Sequence, residues 1–355
     1  MIKLNIRNKH KIKIFSCVIF LGFLLYDDYI IKLVLFLISK NKKKLFIIEV
    51  DISGSKYGNG GPSKLVRGIK DILPYNTNRC TFIPLKNIFH INKIDRADYF
   101  FLPYPVIKES FYDNLVMMNK TNKILIGPCF VPSFWNSFPD NSIWKEKRFL
   151  EILNNVKGIV VHSNRVRDYL AEKSNSSQDN IKKFKIARPC TNLKPNNINS
   201  FKNRENDIIF FEKYADLNRK KQADKLLELF RHTSLKIEIL VYGNYTQSQM
   251  KYLASDSKYI IYFSFYDTGA IGLKEIQNYG VFAFSHQKEF VIDKNTSFFI
   301  PELANEFDMK LAYNKIMRII EIISASEPNM TLIAKKNQEI NKCEKTLDDL
   351  CDSIL

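Results

Sequence analysis

The sequence has little to offer for metal or thiol chemistry. Its 355 residues contain six cysteines and five histidines, with no C-x-x-C pair and no histidine at metal-ligand spacing. A zinc site or a disulfide scaffold is therefore not expected. Cys17, Cys80, Cys129, Cys190, Cys343 and Cys351 read as mostly reduced, buried side chains, which suits a cytosolic face. A D-x-D metal motif is also missing. Basic charge is plentiful but unfocused: 54 Lys and Arg against 37 Asp and Glu leave a formal net charge of +17, with lysine spread along the whole chain. A nucleic-acid binder concentrates its cations on one helix or patch and interleaves aromatics for stacking, so nucleic acid is not an expected partner. A diffuse basic surface suits anionic lipid or a phosphorylated substrate instead.

Long hydrophobic runs are confined to the start of the chain. After the basic residues 3–13, an apolar stretch covers 14–26, Asp27 and Asp28 interrupt it, a second covers 29–39, and lysines close the segment at 40–44. Residues 14–38 are long enough to span a bilayer, but two central carboxylates are costly in hydrocarbon. Three readings stay open: a short signal anchor, a hairpin or interfacial helix pair on anionic lipid, and a buried core helix. The expectation is a membrane-associating segment over 1–44, with the rest of the protein membrane-associated and facing the cytosol.

The remaining length suffices for two domains, since single cores stop growing near ~250–300 residues. Hydrophobic residues at 45% and charged residues at 26% fit a globular chain. Strands are predicted over 45–50, 99–102, 124–126 and 158–162, with an amphipathic helix over 62–73. A polar stretch at 194–204 reads as a linker. Alternation then restarts: strands over 208–211, 237–241, 259–263 and 281–284, and helices over 222–231, 247–254 and 270–279. From 307 onward the chain reads as mainly helical, broken near Pro328. Strand–helix alternation on both sides of a linker predicts an α/β protein with two parallel, helix-covered sheets, over 45–193 and 194–355. Ligands in such sheets bind at the carboxyl ends of the strands, so a cleft between two of them is the expected site.

The most informative stretch runs from Ser264 to Gly280. An apolar strand ends, Asp267 follows, a Thr268–Gly269 turn opens a helix, and Glu275 stands eight positions after Asp267. Amides around Thr268, Gly269, Ala270 and Ile271 could hold a diphosphate. The two carboxylates could then grip hydroxyls of a sugar and a ribose. A capping Asp followed by a solvated Glu is the plain alternative. Two further features share this character. Glu212-Lys213 follows the first strand of the second half, and Lys221-Gln-Ala-Asp-Lys-Leu-Leu comes soon after. Gly60 and Gly61 lie in a turn between the first strand and the first amphipathic helix.

These motifs resemble those of the family 4 glycosyltransferases of GT-B fold: the E-x7-E region, with Asp267 in place of the first Glu; the G-R and K-G cations; a Gly-rich loop facing the cleft. The resemblance implies two Rossmann-like domains about a central cleft and transfer of sugar from a nucleoside-diphosphate sugar, with retention, to a glycan or lipid-linked acceptor. It assigns Glu275 to the donor ribose, Asp267 to the sugar ring, and residues 269–271 to the phosphates. Lys213 and Lys221 become phosphate ligands, with Arg219 and Lys220 competing. No metal or other cofactor is implied. Asp267 is one methylene shorter than the family's Glu, and the strand over 123–130 lacks the family's acceptor-side histidine, leaving His162 and His90 as substitutes. Ser163 and Arg165 could line the cleft. A nucleotide-sugar epimerase and a non-catalytic scaffold or glycan-binding protein on the same fold are the alternatives.

Overall fold

The computed structural model describes residues 122, 124–127, 153–173, 176–213, 217–264, 269–291 and 293–352, together with the backbone of 45–49, 80–84 and 99–102. The N-terminal segment 1–44, the loop with Gly60 and Gly61, the helix expected over 62–73, His90, Asp267 and Thr268 lie outside the described residues. No helix among the described residues is long and apolar enough to cross a membrane.

Two parallel sheets are present. The first contains β1 (Leu45–Glu49), β2 (Cys80–Pro84), β3 (Tyr99–Leu102), β4 (Ile124–Ile126), β5 (Gly158–Val161) and β6 (Phe184–Ile186), in the order β2-β1-β3-β4-β5-β6. Helices α1 (Asn164–Lys173) and α2 (Gln178–Ile181) lie between β5 and β6. The second sheet contains β7 (Asn206–Lys213), β8 (Ile237–Val241), β9 (Ser257–Ser264), β10 (Phe282–Ser285) and β11 (Ser297–Phe299), in the order β11-β10-β9-β7-β8. Its helices are α3 (Leu217–Arg231), α4 (Gln247–Asp256), α5 (Ile271–Gln277), α6 (Met309–Ser326) and α7 (Met330–Ile340); α8 (Cys343–Asp352) follows.

The second sheet is covered on both faces, which is why β7 and β9 are near-continuous apolar runs instead of alternating ones. Alternation instead decides which helices each side chain meets. Ile208, Phe210, Ile261 and Phe263 share a core with Ala223, Leu226 and Phe230 of α3 and Ile316 and Ile320 of α6. Ile209, Phe211, Ile260 and Tyr262 pack on the opposite face with Met250 and Ala254 of α4 and Leu273 and Ile276 of α5. Stacked rings seal each layer, Phe210 on Phe263 and Phe211 on Tyr262. Burying a side chain of this size contributes roughly 1.5–3 kcal/mol, so the two layers account for most of the lobe's cohesion.

The stretch expected to be a polar linker is partly core. Phe201 is buried, and the buried Arg204 guanidinium donates to the carbonyls of Ser257 and Tyr279. Burial lowers the Arg204 pKa to about 10, and the nearby Asp256 carboxylate acts in the opposite direction. Arg204 thereby ties the start of β7 to the start of β9 and to the turn before β10.

The chain passes between the sheets twice, at the same place. Thr191 N donates to Asn341 O (3.0 Å), Cys343 N donates to Asn192 Oδ1 (3.4 Å), and Asn278 Nδ2 donates to Leu193 O (2.8 Å). Returning past this point, α8 packs beside β6: Arg188 N donates to Asp349 Oδ2 and Thr346 Oγ1 donates to Arg188 O. Here the structure corrects one expectation. Cys190 and Cys343 are both buried and disulfide-bonded, with Cα atoms 4.9 Å apart. Their separation of 153 residues gave no spacing signal; only the return of α8 to the first sheet brings them together. In protein isolated without reductant and then unfolded in guanidinium, Cys190 and Cys343 are expected to resist iodoacetamide until dithiothreitol is added, as peptide mass spectrometry would show. Alkylation of both without reductant would refute the bond.

Candidate active site

In the second sheet the chain runs from β7 outward to β8, then returns to the other side of β7 as β9. That reversal is a topological switch point, where parallel sheets open a crevice at their carboxyl ends. Lys213 and Ser264 are register partners there, the last residues of β7 and β9. Lys213 Nζ lies 4.3 Å from the centre of the Tyr242 ring, which follows β8 and is 44% exposed. Tyr245 stands in the same loop and meets the Phe211 ring edge-on. Sequence reasoning missed both tyrosines, because an aromatic in a loop after a strand has no distinctive spacing.

Glu275 is buried, at 5% exposure, one turn into α5. It shares a helix face with Gly272 by a spacing of three, and Tyr279 lies in the turn that follows the helix. Gly272 lies against the Tyr245 hydroxyl and the Phe211 ring, so this face of α5 turns toward the β8–α4 loop. Burial raises the Tyr279 pKa, and the Glu275 carboxylate adds to the effect. On another side of α5, the fully buried Lys274 amine donates to Asn341 Oδ1 at the chain crossing, and desolvation lowers its pKa to about 8.

The turn before α5 meets the first lobe. Gly269 and Ala270 are buried, Ala270 in the left-handed region (φ 46°) with no side-chain cap for the helix, and Ile271 begins α5. A Cβ on Gly269 would stand 2.6 Å from His162 Cδ2, 2.9 Å from His162 Nε2 and 3.2 Å from Pro189 Cβ. His162, just past β5, is anchored by Nδ1 donating to Ala187 O at 2.9 Å. Beside it, Arg165 at the start of α1 reaches across the cleft: Nη2 donates to Gln287 Oε1 at 2.8 Å, and Nε pairs with Glu289 at 3.2 Å. Gln287, Glu289 and His286 follow β10, so the carboxyl ends of β5, β9 and β10 meet at one place.

Of the expected phosphate cations, Arg219 at the start of α3 faces this place. Its charge and that of Arg165 act on His286, whose pKa falls to about 3, first through burial and then through the two guanidinium groups. Arg219 itself donates to Gln222 Oε1 and Ala304 O. Lys221 is exposed on α3, where its charge is felt by Glu306, and Lys220 pairs with Asp224 on the same helix. Among the described residues no three His, Cys, Asp or Glu side chains gather as a metal site.

His286 gives a pH dependence of definite sign. The unfolded chain binds its proton near pH 6.5, the folded chain only near 3, so stability from the neutral ring is complete above 6.5. It is lost progressively as pH falls from 6.5 toward 3. His286→Gln is expected to flatten the acid side of a plot of Tm against pH, leaving Tm at pH 7.5 little changed.

Two parallel sheets whose carboxyl ends meet across a cleft define a GT-B glycosyltransferase-like fold. The chain is similar to TarM, at 14% identity and a TM-score of 0.50, over 75% of its own length and 57% of that chain. It thus spans little more than half of TarM. Looser overlaps are found with the kitacinnamycin glycotransferase (10% identity, TM-score 0.41, 89% of this chain and 100% of that one) and with S. aureus MnaA in complex with UDP (10%, 0.42, 83% and 94%). No protein-family model matches the chain, and no curated protein matches it.

Proposed function

We propose that the protein is a glycosyltransferase that moves a sugar from a nucleoside-diphosphate sugar to a glycan or lipid-linked acceptor, with retention of configuration. The observation that carries this reading is the convergence at one cleft of the β7–β9 switch point, the buried Glu275 helix and two arginines, one from each side. In this reading Glu275 accepts hydrogen bonds from the donor ribose, and Tyr242 offers a face to the base. Asp267 holds the transferred sugar. Lys213 and Arg219, with Lys221 further out, neutralise the diphosphate alongside the amides of residues 268–271. Fixed positive charge next to a departing diphosphate stabilises the charge that builds on it in the transition state, and it takes the role a metal ion plays elsewhere. Gly60 and Gly61 would face the same cleft from the first sheet. Residues 1–44 would hold the protein at a membrane, bringing a lipid-linked acceptor within reach.

A thermal-shift panel of UDP-, GDP- and other nucleotide sugars tests the reading. A donor present at 100 times its Kd adds about 2.7 kcal/mol to the folded state, so a matching nucleotide should raise Tm saturably. A flat panel across every base would sink the proposal.

A further inference from the structure

Gln287 has an arrangement that donor binding alone does not explain. It is 4% exposed, yet each polar atom of its side chain is committed in a different direction. Its Oε1 accepts from Arg165 of the first lobe at 2.8 Å, and its Nε2 donates to the carbonyl of Ser264 at 2.9 Å. Its backbone N–H donates to Ser285 Oγ at 3.1 Å, which fixes the stem. Ser264 is the last residue of β9, three positions before Asp267. Only an amide fits this place: a carboxylate could accept from Arg165 but could not donate to Ser264, and an ammonium could do only the reverse. The adjacent ion pair between Arg165 Nε and Glu289 gives the guanidinium a second anchor on the same segment.

We propose that Gln287 is a relay that couples arrival of the first lobe, sensed through Arg165, to the carboxyl end of β9. When the lobes close, Arg165 fixes the amide, and the amide fixes the Ser264 carbonyl at the carboxyl end of β9. When they part, Oε1 loses its charged donor, and the amide is held only through Nε2, which then divides between Ser264 O and the His286 ring nitrogen 3.3 Å away. Arg165 is thus a positioning residue that acts through Gln287. Its bearing on sugar transfer rests on the reading proposed above; the coupling of Arg165 to β9 does not.

The test uses the full chain with Arg165→Met, Arg165→Lys and Gln287→Glu. Hydrogen exchange is followed on peptides containing Ser264, and UDP and GDP are titrated by calorimetry. Gln287→Glu keeps and strengthens the contact with Arg165 but removes the donor to Ser264. The relay requires faster exchange around Ser264 in both Gln287→Glu and Arg165→Met, with Arg165→Lys in between. Affinity for whichever nucleotide binds should fall in the same order, by about tenfold for the two stronger variants, the equivalent of one lost hydrogen bond. If Arg165 were only a structural contact, Arg165→Met would exchange like the wild type around Ser264 while Gln287→Glu exchanged faster, and that result overturns the relay. Binding of neither nucleotide by the wild type would defeat the sugar-transfer reading, while the exchange data would still decide the coupling.

Discussion

Glu275→Ala is expected to abolish saturable binding of a nucleoside diphosphate while leaving the protein folded. The carboxylate is buried inside a helix whose exposed neighbours are few, so any hydroxyl it holds is held away from competing water. Hydrogen bonds to a charged acceptor contribute about 1.5–3 kcal/mol each, so losing two to a ribose diol should cost on the order of a hundredfold to ten-thousandfold in Kd. Glu275→Gln keeps the shape and one acceptor oxygen but drops the charge, and an intermediate loss is expected. Calorimetry with the nucleotide picked out by the thermal-shift panel measures both. Tm without nucleotide separates a damaged site from a damaged lobe. Wild-type affinity in a well-folded Glu275→Ala protein would remove the ribose assignment and, with it, the central support for the proposed chemistry.

The second large effect is expected from Gly269→Ala. The methyl group would overlap the His162 ring and press on Pro189, and neither can yield cheaply. His162 is buried and fixed by its bond to Ala187 O, and Pro189 leads into the disulfide-bonded Cys190. Overpacking of this kind costs typically 1–3 kcal/mol, and holding the lobes apart would relieve it. Since closure brings Arg165 onto Gln287, turnover should fall by about tenfold to a hundredfold, the rate equivalent of that energy. Nucleotide affinity, which draws mainly on the second lobe, should fall less. His162→Ala combined with Gly269→Ala should recover much of the closed state, which small-angle scattering would detect as a smaller radius of gyration. Closure unchanged in the single Gly269→Ala variant would mean that the contact between lobes is softer than described.

The second lobe was legible in the sequence for a clear reason. Its central strands, Ile208–Phe211 within β7 and Tyr259–Phe263 within β9, are apolar on both faces and bounded by polar residues. Such runs have few other structural uses. The strands that escaped notice, β2, β6 and β11, all lie at sheet edges, and two of them have only three residues. An edge strand pairs on one side only, so its own sequence need not be strongly strand-forming, and the Lys185 within β6 weakens the signal further. At the site, the helix bearing Glu275 was readable from local spacing, and the family resemblance drew attention to Lys213, Arg165 and Arg219. Gln287, the convergence of the two arginines on His286, and the cysteine pair were not legible. Each depends on residues more than a hundred positions apart, or on the meeting of two lobes, and neither leaves a trace in local pattern.

The double crossing at Thr191 and Asn341 has a consequence for engineering. Because the polypeptide leaves the first sheet and rejoins it through one doorway, everything between is a cassette whose two ends are neighbours. Such a cassette can be cut out or exchanged without rethreading the host, as with inserted domains generally. Grafting the corresponding lobe of another GT-B protein between residues 193 and 341 should therefore preserve the first sheet and its α8 cover. Only the surfaces around His162 and Arg165 would need to be matched to the newcomer.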